Sequence, residues 1–218
     1  MLMTNSTETK ISVDNDILTY TGKYIYLGKE ICLDRNNIGS DLERRIQRSW
    51  NKYWTLKEIF KDDMAVKIKT RVLNTCILPC LTYACQTWKY SSKDKSKIIS
   101  CQRGMERSML NISKRRKTRH TKIRMISKAT DALIHAQRLK WKWAGHVARL
   151  QDGRWTGKIT SWNGPTGKRC RGRPHARWQD DITKTAGPNW LQIAKDRDQW
   201  DSLEEAFTRG GVLTNQAK

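Results

Sequence analysis

Between Arg138 and Trp178 the chain sets Trp141, Trp143, Trp155, Trp162 and Trp178 among Arg138, Lys140, Lys142, Arg149, Arg154, Lys158, Lys168, Arg169, Arg171, Arg173 and Arg177. Asp152 is the one acid in that span. Indole rings offer flat π-faces and the basic side chains offer charge. Those are the parts that stack bases and neutralise phosphates. Single tryptophans in such a stretch also build cores, but core building does not explain charge of one sign. A second basic run, Lys114, Arg115, Arg116, Lys117, Arg119, Lys122 and Arg124, contains no acid. Arg115, Arg116, Lys140, Lys142, Arg169, Arg171 and Arg173 are the expected phosphate contacts. Trp141 and Trp155 are the expected stackers.

The composition points the same way. The 218 residues carry a formal net charge of +22, with a pI near 10.0. Such a charge implies a polyanionic partner, nucleic acid first and an anionic membrane surface second. Hydrophobic residues make up 37% and no run approaches the roughly 18 apolar residues of a membrane span. The first residues, MLMTNSTETK, lack the basic and apolar regions of a secretion signal. An intracellular location, nuclear or cytoplasmic, is therefore expected. The six cysteines are expected to be reduced thiols. Cys76, Cys80 and Cys85 lie close together but not at zinc-knuckle spacing, so no metal site is expected.

Reactive constellations are missing. The chain has no G-x-x-x-x-G-K-[ST] loop, no H-E-x-x-H and no G-x-S-x-G. Asp62-Asp63 reads as a complement to a helix start. Asp180-Asp181 would point about 100° apart on a helix and chelate poorly. One of these two is expected to pair with a neighbouring arginine. No catalytic residue and no cofactor is assigned. Arg171-Gly172-Arg173-Pro174 matches the core of an AT-hook, whose arginines enter a narrow A·T minor groove. An ordinary basic loop before a helix, with Pro174 at the first turn, is the favoured reading of these residues.

The elements that must position these residues are mainly helical. Residues 11–33 alternate β-formers with Asp14-Asn15-Asp16, Gly22 and Gly28, which predicts two or three short antiparallel strands. Ser40-Asp41-Leu42-Glu43 is a capping-box signature. Leu42, Ile46, Trp50 and Tyr53 follow it at helical spacing. A second helix from Met64 should face Ile68, Val72, Cys76 and Ile77 inward and kink or end at Pro79. Ser91 and Asp94 open a third, with Ile98, Met105 and Met109 on one side. A short helix over 121–128 and a longer one over 130–150 come next, the latter with Ala136, Leu139, Trp143, Val147 and Leu150 inward. Lys158-Ile159-Thr160 reads as extended. A helix over 175–185 precedes a last one capped by Asn189. The organisation expected is a β-hairpin segment over 1–35, a helical bundle over 36–113, a basic, Trp-rich helical extension over 114–209 and a tail over 210–218.

Several phrases resemble one family. They are Tyr24-Ile25-Tyr26-Leu27-Gly28, Cys76-Ile77-Leu78-Pro79, Thr82-Tyr83-Ala84 with Thr87-Trp88, and Gln102-Arg103-Gly104-Met105-Glu106-Arg107. Further along come Leu139-Lys140-Trp141-Lys142-Trp143-Ala144-Gly145-His146-Val147, Asp152-Gly153-Arg154-Trp155, Gly167-Lys168-Arg169, Gly172-Arg173-Pro174, Arg177-Trp178 with Asp180-Asp181-Ile182, and Asp196-Arg197 with Trp200. In this order they resemble the C-terminal part of the endonuclease-reverse transcriptase of a non-LTR (LINE-like, RTE-type) retrotransposon. The resemblance implies a hairpin after the polymerase palm, with Tyr26, Leu27 and Gly28 acting as a primer grip, then a helical thumb and a nucleic-acid-binding extension. Ala84-Cys85-Gln86 departs from the family's usual Gly-Ala-Glu. The palm's catalytic aspartates and the endonuclease domain are not in this sequence. The chain thus reads as a truncated copy starting at an internal methionine. It is expected to bind RNA, RNA·DNA hybrid or DNA through phosphates without polymerase activity, Mg²⁺ being needed only by the complete parent enzyme. A palm-bearing reverse transcriptase acting in trans is a further partner to consider. An AT-hook-like chromatin protein and a genomic remnant without function are the alternatives.

Overall fold

The structure, a computed structural model, describes residues 11–14, 16–32, 37–162 and 177–209. These residues are mainly helical after short N-terminal strands, as the periodicity predicts. Two hairpins open the chain. β1 (Ser12–Val13) pairs antiparallel with β2 (Asp16–Ile17), and β3 (Lys23–Tyr26) with β4 (Lys29–Cys32). Leu27 and Gly28 both have positive φ, 47° and 77°. That is the two-residue turn whose twist suits a hairpin. Glycine adopts it freely, whereas Leu27 is strained by about 1 kcal/mol. Arg44 and Arg45 of α1 (Asn37–Thr55) donate to the Gly28 carbonyl and hold the turn. Tyr24, Ile25, Tyr26 and Leu27 stay exposed.

The described residues fall into two compact units. The first runs up to Leu81 and resumes over Ser96–Ala129, and the second holds Thr82–Lys95 and everything from Thr130 on. The basic run that follows residue 113 therefore groups with the helical bundle.

In the first unit, α1 is followed by α2 (Lys57–Lys61) and α3 (Val66–Val72), then a π-helical turn over Leu73–Ile77 and α4 (Leu78–Thr82). α5 (Ser92–Met109) joins the unit from Ser96 on, and a 3-10 turn at Lys114–Arg116 leads to α6 (His120–Ser127). Leu42, Tyr53, Phe60, Ile77, Met105 and Ile123 are buried, with Tyr53 and Phe60 stacked at 4.3 Å between ring centroids. The Ser91 box is realised: Asp94 N–H donates to Ser91 Oγ at 3.1 Å and Ser91 N–H to Asp94 Oδ2 at 3.1 Å.

Three expectations are corrected in this unit. The helix expected from Ser40 starts at Asn37, and Asp41 is not in a cap: it accepts from Arg44 and from the Glu30 N–H. On α3, Ile68 is 51% exposed, while Lys69 and Thr70 face inward. Polar groups can do so because partners wait there: Lys69 Nζ donates to the Met109 carbonyl and Thr70 Oγ1 to the Ser127 carbonyl, at 3.4 and 2.7 Å. Pro79 does not end the helix. It has no N–H to bond one turn back, and the ladder widens just before it, where Leu78 N–H reaches Leu73 O. A π-turn re-routes the backbone bonds around the missing donor.

The second unit is built on α7 (Ala132–Ala148), whose cap Asp131 accepts from the Leu133 and Ile134 N–H groups. A 3-10 turn (Cys85–Thr87), α8 (Trp155–Ser161), α9 (Asp180–Ala186), α10 (Trp190–Ile193), α11 (Arg197–Ser202) and α12 (Glu204–Arg209) complete it. Trp141, Ala144, Ile182, Trp190, Trp200 and Phe207 form its core. Trp141 and Trp200 stack at 3.9 Å, 7° from parallel, and each indole N–H donates to the other's carbonyl, at 3.0 and 3.1 Å. Gly145, one turn beyond Trp141, makes this possible, because a Cβ there would stand 2.5 Å from Trp200 Nε1.

This packing overturns the expected inward face of α7. Ala136 and Val147 are buried as expected, but Leu139, Trp143 and Leu150 are only half-buried, and Lys140, Trp141 and Ala144 replace them. Lys158-Ile159-Thr160 is helical rather than extended. The last helix is broken into three, because Asp196 starts a new one by accepting from the Asp198 and Gln199 N–H groups, whereas Asn189 makes no side-chain cap.

Gly145→Ala is expected to destabilise this unit by about 1–3 kcal/mol through overpacking against Trp200. Gly157→Ala, on α8 with nothing within 4 Å of its Cβ position, should be neutral or stabilising by about 0.5–1 kcal/mol. Urea unfolding of the two variants beside the parent chain checks the pair.

Candidate nucleic-acid interface

The expected contact residues separate by burial. Lys140, expected on a phosphate, is fully enclosed: its Nζ donates to both Asp181 oxygens at 2.8 Å and lies 5.1 Å from the Trp178 ring and 5.6 Å from the Tyr90 ring. Burial pulls the Lys140 ammonium below the ordinary lysine range, while Asp181 opposes that shift. Trp141, expected to stack on a base, is buried against Trp200. Both belong to the architecture of the unit, since neither offers a surface to a strand. Asp181 does form the expected ion pair, but with Lys140, 41 residues away, rather than with a nearby arginine. Asp180 instead accepts the Arg177 N–H at 2.5 Å.

Other expected residues do reach solvent. Lys142 is exposed on α7 and Trp155 is 75% exposed at the start of α8. Lys158 Nζ sits 5.3 Å over the Trp155 ring, a cation–π contact that presents charge and π-face together. Arg115 and Arg116 are exposed on the 3-10 turn of the first unit. Tyr26 and Leu27 are exposed at the hairpin turn, and Gly28 is held there through its carbonyl. Arg169, Arg171 and Arg173 lie outside the described residues, as does the Arg-Gly-Arg-Pro match.

In the second unit two exposed and two half-buried indoles surround a groove of about 610 Å³. Trp143, Trp155, Trp162 and Trp178 line it, with Ile159 on its floor and Arg177 at its edge. Its lining contains no acid. The Trp178 N–H donates to the Gln86 carbonyl at 2.7 Å, which fixes that wall. Trp162 and Ile159 are 62% and 63% exposed, far more than core residues of this size. Trp143, Trp162 and Trp178 were not singled out as stackers, although all lie in the tryptophan-rich stretch. Helical spacing would have placed Trp155 and Ile159 on one face of α8, with Trp162 just past its end, had residues 158–160 been read as a helix.

In the first unit, Lys114, Arg115, Arg116, Lys117, Arg119 and Lys122 are exposed. None of them has a carboxylate partner among the described residues. Arg124 differs: it pairs with the buried Glu106 at 3.0 Å and donates to the Ala129 carbonyl. Six cations of this run thus remain available to a partner and one is structural.

The described residues contain no group of three or more His, Cys, Asp or Glu placed to hold a metal ion. No helix among them is long and apolar enough to cross a membrane. A mainly helical protein with a run of unneutralised cations and a separate indole-lined groove is the class that emerges. No family model matches the sequence, and no solved structure does. An uncharacterized transposon-derived protein of Caenorhabditis elegans is 31% identical over 191 residues, which cover 82% of this chain and 68% of that protein. The chain belongs to that family of transposon-derived proteins.

Lys140→Ala should destabilise the second unit by about 1–3 kcal/mol, since it removes the partner of Asp181 and leaves a cavity between two rings. Lys142→Ala should leave stability within about 0.5 kcal/mol. Thermal unfolding monitored by near-ultraviolet circular dichroism separates the two. Equal effects would return Lys140 to the set of surface residues.

Proposed function

We propose that this chain binds nucleic acid through phosphates, without reading base sequence, as the hairpin, thumb and C-terminal extension of a non-LTR (LINE-like, RTE-type) reverse transcriptase do. The observation that carries the reading is the exposed run Lys114, Arg115, Arg116, Lys117, Arg119 and Lys122, which has no carboxylate to neutralise it among the described residues. Charge held at the surface without an internal partner is attractive to a polyanion, and the counterions that a strand releases on binding supply most of the affinity. The groove walled by Trp143, Trp155, Trp162 and Trp178 supports the reading from the other side, because indole faces beside Lys158 suit unstacked bases. Membership of a transposon-derived family supports it further, since mobile elements act on nucleic acid.

The partner is RNA, RNA·DNA hybrid or DNA. Catalysis is not part of the proposal. Two-metal nucleotidyl transfer needs carboxylates converging on Mg²⁺, and the described residues bring no three ligating side chains together. A palm-bearing reverse transcriptase is the partner that would supply such a site in trans.

Titrating salt against single-stranded RNA, RNA·DNA hybrid and duplex DNA tests the proposal. Affinity should drop about 10³–10⁵-fold between 50 and 200 mM salt if six to ten phosphates are contacted. Changing Arg115 and Arg116 together to alanine should lower the slope of log affinity against log salt by about two. A salt-independent affinity would end the proposal. In a primer-extension assay the purified chain should incorporate no nucleotide, and metal-dependent incorporation would refute the binding-only reading.

A further inference from the structure

Within the first unit a second cavity, of about 500 Å³, opens between α1, α5 and the start of α6. Trp50 of α1 forms one wall. Its indole lies against α5 at Gly104, where a Cβ would stand 3.0 Å from Trp50 Cζ2. The absence of a side chain at Gly104 therefore lets the ring lie close to the helix. Trp50 is backed by Trp54, stacked at 6.0 Å, and by the edge of Tyr53 at 5.5 Å. The ring is thus held in place but only half-buried.

Cations also line the cavity. Arg103 and Arg107 are one turn apart on α5, and Lys114 and His120 come from the elements that follow. Lys97 also lines the cavity, but Glu43 neutralises it at 2.5 Å. Arg103, Arg107 and Lys114 have no carboxylate partner among the described residues. Arg107 Nη2 donates to the Thr118 carbonyl at 2.7 Å, which fixes the guanidinium, and its Nη1 is buried with no bond at all. Like charges one helical turn apart destabilise a helix. Here three gather around one cavity with no anion to offset them. Slight desolvation, then Arg103 and Arg107, lower the pKa of the His120 imidazole. Cys101 contributes a protonated thiol, pushed up to about 12 by burial, so the cavity holds no thiolate at neutral pH.

We propose that this cavity is a nucleotide subsite, in which one phosphate of a bound single strand lies among Arg103, Arg107 and Lys114 and the adjoining base lies against the part of the Trp50 ring that the packing leaves open. It rests on the nucleic-acid reading above and adds a place to it. The volume falls in the range of small-ligand sites, and it combines a fixed π-face with uncompensated charge. An acidic peptide would use the cations but leave the indole idle, and inorganic phosphate would do the same.

The test uses the full chain with three probes: a short single-stranded oligonucleotide, an abasic strand of the same length, and inorganic phosphate. Arg103→Gln should weaken binding of both strands and lower the salt slope by about one. Trp50→Ala should cost about 5- to 100-fold on the oligonucleotide and leave the abasic strand unchanged, and Trp50→Phe should recover most of the loss. In nuclear magnetic resonance titrations the oligonucleotide should raise the His120 pKa, because a nearby anion favours the imidazolium. Each variant is first checked for an unchanged unfolding midpoint. Equal losses on the two strands with Trp50→Ala, or a slope that ignores Arg103→Gln, would overturn the subsite. If Arg115 and Arg116 then still set the salt slope, binding by the chain survives and only its placement here falls. If inorganic phosphate moves His120 but neither strand does, the cavity is a bare anion site and the proposal fails. If no strand binds at all, the subsite and the nucleic-acid reading fall together.

Discussion

A chain with a net charge of +22 must fold against its own repulsion. Most of its acids are exposed, but three sit where burial or enclosure makes them count. Glu106, fully buried, holds Arg124 and accepts from Ser127. Asp41, 4% exposed, holds Arg44 and accepts the Glu30 N–H of β4. Asp181 holds the enclosed Lys140. A charge pair in a low-dielectric setting interacts far more strongly than one in water, so a few such pairs can organise a unit. Most of the remaining cations are left outside, and what makes the surface attractive to a polyanion is therefore a consequence of how the interior is satisfied.

The second unit shows how tightly this is tied to shape. Trp141, Gly145, Lys140, Trp178, Asp181 and Trp200 form one interlocked group. The two indoles exchange hydrogen bonds across a gap that Gly145 leaves open, while Trp178 caps the lysine that Asp181 neutralises. These residues lie in the phrases that resemble the retrotransposon family. Their agreement with the family is explained by the architecture alone. It says that the unit folds in a particular way, and the residues that meet a partner must be sought on other positions, such as Trp155, Lys158 and Lys142.

Signals carried within one turn of chain were legible in advance. The Ser91–Asp94 box and the start of α6 are local, and these elements fall where local chemistry puts them. Two local signals misled as well, since the helix expected from Ser40 starts at Asn37 and Asn189 makes no side-chain cap, but the other failures were long-range. Lys140 reads as a surface cation because its partner is 41 residues away, and a tryptophan-rich helix offers more than one apolar face, so spacing alone could not choose Trp141 over Trp143. Residues 158–160 are β-branched or lysine and flanked by Gly157, which hides a helix that packing supports. The break at Asp196 looked like a continued period because Trp190, Ala194, Trp200 and Phe207 are all buried, as a single helix would have them. In the first unit, the cavity beside Trp50 draws Lys97, Arg103, Lys114 and His120 from three elements, and no spacing rule connects them.

Charge and π-face are also distributed differently in the two units. The basic run is almost free of aromatic side chains, and the groove of α8 is almost free of charge inside. An electrostatic surface attracts any strand, single or double, with a strength set by salt. An indole groove discriminates, because a base must leave its stack to enter it, and a paired base pays that unstacking in full. A protein with the first alone would hold duplex and single strand alike. On the proposed reading, adding the second would bias it toward unpaired nucleotides, and this bias would persist at salt concentrations where the phosphate contacts have weakened, since stacking between neutral faces is screened far less than charge.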